Sequence, residues 1–176
     1  LPSSRASRFW HYPGAHLRLT ERIPEWITEA EAELDGLLQI AQDAIGGEWE
    51  TGDSGARPCQ SPSGKTGVTY ALARYGPPLP LDQQPGAIDT TVAGWTASDF
   101  TPVAGSDSLE GIEISTVAYP TSGTDSDGIF MDLRVGERGS SVSGQTRRVP
   151  GDYAQINGDY QSEHSATPTL TPVPPS

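Results

Sequence analysis

Cysteine is nearly missing from this chain: Cys59 is the only one in 176 residues. No disulfide can form within the chain, which excludes the disulfide-stapled scaffolds of small secreted proteins. A lone thiol is unusual outside the cell and equally compatible with a reducing compartment. Positive charge is scarce as well. Eleven Lys and Arg stand against 23 Asp and Glu, for a formal net charge of −12 and a pI of about 4.4. Like-charge repulsion argues against nucleic acid or an anionic membrane surface as the main partner. Long apolar runs are also missing. None approaches the roughly 18 residues of a membrane helix, and no charged-then-apolar signal segment is present. Any membrane attachment is expected through an anchor absent from this chain. Lys65 is the only lysine and Asn157 the only asparagine; both residues use A-rich codons, which points to a GC-rich, bacterial coding genome.

Glycine and proline, by contrast, are plentiful at 20 and 16 residues, which implies long loops or irregular ends around one core of single-domain size. Ile23, Trp26, Ile27, Ala30, Leu34, Leu37, Leu38, Ala41 and Ile45 recur at three- and four-residue steps and form one stripe of an amphipathic helix. Pro24 suits its first turn, and Gly46-Gly47 supplies the positive φ that ends it. Glu25, Glu29 and Glu33 lie opposite, like charges four apart that weakly oppose the helix, so burial of the other face must hold it.

Alternation predicts strands at 48–50 and 67–75, a polar turn-rich stretch over 51–64, and a proline-rich loop over 76–86. A second helix over 87–98 carries Ile88, Val92 and Trp95, followed by a short strand at 100–103 and strands over 111–119, 128–135 and 140–147. This order predicts an α+β fold with two helices packed on one face of a mostly antiparallel sheet. The expected organisation is an extended leader over 1–22, a domain over 23–152, and a polar tail over 153–176 whose Pro/Thr-rich end is disordered.

No motif assembles a catalytic set. Gly52-Asp53-Ser54-Gly55 is like the nucleophile turn of trypsin-like proteases, but His11 and His16 precede it only across a long helix, with no barrel. Ser63-Gly64-Lys65-Thr66 ends like a phosphate loop, yet a strand follows where a helix is needed. Asp125, Asp127 and Gly128 echo a calcium loop whose twelfth position falls on Arg134, a cation; a hairpin turn fits better. His11, His16 and His164 lack metal-ligand spacing, and Cys59 offers a zinc ion no partner. Glu25, Glu29 and Glu33 read as a solvated face, and no carboxylate pair is singled out for acid–base chemistry. No catalytic, cofactor-binding or metal residue is therefore assigned, and no cofactor is expected. Phe9, Trp10, His11 and Tyr12, in an arginine-bearing leader, are the candidates for contacting a partner.

Several segments in order carry a resemblance: Ala44-Ile45-Gly46-Gly47, Glu48-Trp49-Glu50, Ala56-Arg57-Pro58-Cys59, Gly67-Val68-Thr69-Tyr70 with Arg74 and Gly76-Pro77, and 144–152 (GQTRRVPGD). Over roughly residues 24–152 the chain resembles small cell-envelope lipoproteins and membrane-anchored exported proteins of high-GC Gram-positive bacteria, similar to the LppA-type lipoproteins. The resemblance implies an extracytoplasmic α+β domain without catalytic residues, attached at the cell surface through a segment preceding residue 1. Such proteins pair the cysteine of the Arg-Pro-Cys loop with one just before Val-Pro-Gly-Asp; Arg148 holds that place here, which leaves Cys59 unpaired. The function expected is binding of a protein or envelope component, or service as an accessory protein. The alternatives are a subunit of a larger membrane or virion assembly docking through its two arms, and a hydrolase working through carboxylates.

Overall fold

The computed structural model describes residues 25–60, 63–154, 156 and 158. Among them are two helices, α1 (Glu25–Ile45) and α2 (Gln84–Ala97), and eight strands. The strands are β1 (Glu50–Thr51), β2 (Gly55–Gln60), β3 (Thr66–Gly76), β4 (Val103–Leu109), β5 (Ile112–Tyr119), β6 (Phe130–Gly136), β7 (Gly139–Gln145) and β8 (Val149–Pro150). They form one sheet in the order β1-β3-β7-β6-β5-β4, with β2 and β8 also paired to β3. Every pairing is antiparallel. Both helices cover one face, so the predicted fold class is the observed one.

Two bulges turn the six predicted strands into eight. Thr51 pairs with Arg74 and Gly55 with Ala71, so Gly52, Asp53 and Ser54 stand against only Leu72 and Ala73. The ladder runs on through Gly52 N–H to Ala73 C=O at 3.0 Å and Ser54 N–H to Ala71 C=O at 3.1 Å, so β1 and β2 are one bulged edge strand. On the other side of β3, Gln145 pairs with Ala71 and Val149 with Val68. There the Thr146 hydroxyl accepts from Tyr70 N–H at 3.0 Å, a side-chain oxygen standing in where the bulge breaks the backbone ladder. The turn-rich reading of 51–64 is thus corrected: it hides β2, whose Arg57, Pro58 and Gln60 are exposed. The strand expected at 100–103 is also corrected. Phe100 packs edge-on against Tyr119 at 5.0 Å between ring centres, and the strand begins at Val103.

The first core cluster joins the C-terminal half of α1 and α2 to β3 and β5–β7 through Leu34, Leu38, Trp95, Val117, Leu133 and Val142 among others. Gly144 seats α1 on the sheet: a Cβ there would lie 2.8 Å from Leu34 Cδ1 and 2.8 Å from Phe130 O, so only glycine allows this approach. Gly94 lets α2 close on Ile40 of α1 in the same way. The buried Trp95 indole donates to Leu37 O across the two helices at 2.8 Å, which meets the donor's need at no cost to packing. Gln84, 1 % exposed, donates to Leu79 O and accepts from the Ser115 hydroxyl, fastening α2 to β5. A second cluster joins Ile27 and Ala30 of α1 to Ala56, Val68, Tyr70, Val149 and Ile156. The leader 1–22, Ile23, the Trp26 side chain and the Pro/Thr-rich end lie outside the described residues.

Candidate aromatic groove and the Cys59 depression

The C-terminal end of α1 sets up a groove. Gly46 and Gly47 both hold φ +76°, a left-handed turn that stops the helix and swings the chain back toward β3. Gly46 O then accepts from the Trp49 indole N–H at 3.0 Å, which fixes that ring. Three rings lie over three glycines. A Cβ on Gly76 would be 2.5–2.6 Å from three atoms of the Trp49 indole, one on Gly52 2.5 Å from the Tyr75 ring, and one on Gly47 2.7 Å from the Pro77 ring. No other residue fits beneath them without displacing the ring. The product is an open depression of about 810 Å³ lined by Glu48, Trp49, Glu50, Tyr75, Gly76 and Pro77. Tyr75 is 54 % exposed, and Glu48 and Glu50 are exposed beside it. Flat apolar rings flanked by carboxylates suit an extended cationic segment.

A second depression, of about 580 Å³, is lined by Pro58, Cys59, Gln60, Thr66, Gly67, Asp152, Tyr153 and Ala154. Cys59 is a free, half-buried thiol. Its Sγ and the Arg148 Cγ approach Gly67 at 3.5 and 3.3 Å from a Cβ position there, so positions 59 and 148 meet over the same glycine. Arg148 N–H donates to Asp127 O at 2.7 Å, while its Nε is buried with no hydrogen-bond partner among the described residues.

The motifs weighed from sequence resolve into structural parts. Asp53 accepts from Ala73 N–H at 3.1 Å and pairs with Arg74, so the protease-like turn is a bulge tied by its aspartate. Arg74 also reaches Asp35 of α1 at 2.7 Å. Asp125 Oδ1 accepts from Asp127 and Ile129 N–H, both at 2.9 Å, and its Oδ2 from the Tyr119 hydroxyl at 3.1 Å. This carboxylate is consumed by the hairpin. Glu33 pairs with Arg147. Among the described residues no three His, Cys, Asp or Glu side chains are placed to hold a metal ion, and no helix is long and apolar enough to cross a membrane. Phe9, Trp10, His11 and Tyr12 lie outside the described residues, as do His16 and His164. Sequence reasoning missed exposed Tyr75 and half-buried Trp49 as lining of one depression at the sheet edge. The signal was available: in 67–75 the buried phase is Val68, Tyr70, Leu72, so Tyr75 falls on the opposite face.

The fold and the groove define an α+β protein with one helix-covered sheet face and an aromatic-lined depression at the sheet edge. Among solved structures, it is similar to a DUF4853 family protein from Actinomyces odontolyticus, with a TM-score of 0.51 at 13% sequence identity, covering 76% of this chain and 72% of that one. The likeness is one of fold, to a protein from a high-GC Gram-positive bacterium. No family model and no curated protein matches the sequence.

Proposed function

We propose that this chain is a non-enzymatic binding domain of the bacterial cell envelope, held outside the cytoplasm and acting through the groove at Trp49 and Tyr75. The observation that carries the reading is the exposed Tyr75 ring supported on Gly52, in a sheet-edge depression that half-buried Trp49 and the exposed Glu48 and Glu50 also line. A large aromatic left half in water costs hydration free energy, and backing it with glycines holds it in place for contact. Acidic neighbours select an extended protein segment carrying Arg or Lys next to Pro or aromatic residues. The resemblance to envelope lipoproteins of high-GC Gram-positive bacteria supports the compartment, and the fold neighbour comes from a bacterium of that group.

The test is a titration of the full chain with a synthetic peptide of alternating Arg and Pro ending in Trp, followed calorimetrically. Binding should weaken at least tenfold in Tyr75→Ala and in Glu48→Gln/Glu50→Gln, and weaken with salt. Equal affinity for a peptide with Glu in place of Arg would refute the groove's proposed specificity. Recovery of the native protein only from cytosol would refute the compartment.

A further inference from the structure

The two edges of the sheet are built differently. One edge, β1 with β2, is bulged at 52–54 and contains Pro58, which has no N–H to offer. The other, β4, runs Val103–Leu109 without a break, and all seven of its residues are exposed. It carries no Pro and no Lys, the usual devices against edge pairing. Val103 and Leu109 at its two ends are 51 % and 61 % exposed, and both sit on the helix-free face.

The residues of β4 are close to symmetric about Ser106: Val and Leu outermost, then Ala and Ser, then Gly and Asp. We propose that β4 is a self-association edge, on which a second copy of this chain pairs antiparallel about Ser106 and joins two sheets into one. In this register Val103 of each copy stands opposite Leu109 of the other, and Ala104 opposite Ser108. Leu109 already neighbours Ile112 across β5, so the facing Val103 extends an apolar row that is otherwise open to water. Asp107 is the strand's one charge. It accepts from Ser108 N–H at 2.8 Å and lies 3.7 Å from Arg134, and the register places Gly105 of the second copy opposite it, so no like charges face each other. The bulge and Pro58 close the far edge, and pairing stops at a two-fold dimer instead of growing into a fibre.

Seven residues span about 24 Å of edge, the small end of specific interfaces. The dimer is accordingly weak, with a dissociation constant on the order of 0.1 mM. Sedimentation velocity on the full chain carrying Cys59→Ser, from about 10 μM to 1 mM, should show a reversible monomer–dimer shift. Val103→Lys/Leu109→Lys, both at exposed positions, should keep the circular dichroism and melting temperature while moving the midpoint at least tenfold higher. Under mild oxidation Ser106→Cys should cross-link to itself, and Ser108→Cys, two residues from the symmetry axis in each copy and so four apart in register, should not. A chain monomeric at 1 mM, a double-lysine variant that dimerises like the parent, or equal cross-linking at 106 and 108 would each overturn the proposal.

Discussion

Strand β6 has two unlike sides. Toward the helices it presents Met131, Leu133 and Val135 at 1, 0 and 0 % exposure. Toward the other face it presents half-buried Phe130 and Asp132 and exposed Arg134. The same division runs through β7, where Val142 is buried and Ser141, Ser143 and Gln145 are half-open, and through β3, where Leu72 is buried and Tyr75 exposed. One face holds the fold; among the described residues no helix covers the other face, and edge strand β4 is exposed along its whole length. The strongest way to break this comparison is to cut the covered face. Leu38→Ala removes a fully buried side chain lying between α1 and the sheet and should cost about 3–4 kcal/mol. A thermal or urea melt would measure it, and a loss below about 1 kcal/mol would mean that α1 is not seated on the sheet as described.

The glycines under the helices give the next largest effects. Gly144→Ala places a methyl 2.8 Å from Leu34 Cδ1 and from the Phe130 carbonyl. The carbonyl is backbone and cannot yield cheaply, so a loss of about 2 kcal/mol is expected. Gly94→Ala separates two opposed effects. Alanine favours a helix over glycine by roughly 1 kcal/mol, but its methyl would overlap Ile40 on α1. The net should be destabilising in the parent and should reverse toward stabilising in an Ile40→Ala background. Denaturant melts of the four proteins in that cycle test it; additivity would show that the two helices do not touch there.

These contrasts also mark what the amino-acid pattern could convey. The stripe from Ile27 to Ile45 was legible because burial on one side of a helix writes itself at 3.6-residue spacing. β3, β5, β6 and β7 were legible because a half-covered sheet alternates. β4 was not, since none of its residues is buried and Gly-Ser-Asp-Ser reads as a turn. β2 was not, because it is an edge strand containing Pro58. The bulges depend on which residue opposes which across β3, a long-range register that local pattern does not encode. The groove was hidden for the same reason. Gly52 and Gly76 each look like turn residues, and only the pairing of Glu50 with Tyr75 sets Trp49 over Gly76 on the helix-covered side and Tyr75 over Gly52 on the other, at one end of the sheet.

The smallest effect is expected on the bare face, and it sharpens the comparison most. Arg134 there donates to Asp132 at 2.8 Å, and that hydrogen bond, followed by the carboxylate's charge, raises the guanidinium pKa above its usual value. The Arg134 side chain is 48 % exposed, so water and salt screen the pair and little of that attraction survives as stability. A double-mutant cycle with Asp132→Ala and Arg134→Ala should give a coupling of about 0.5 kcal/mol. Because the arginine keeps its charge at any ordinary pH, the coupling should be present at neutral pH. It should also shrink toward zero at high salt when the chain is dilute. A coupling above about 2 kcal/mol that persists in high salt would require a desolvated pair. The face called bare would then be covered in solution, and its contrast with the helix side would be one of partner identity instead of exposure.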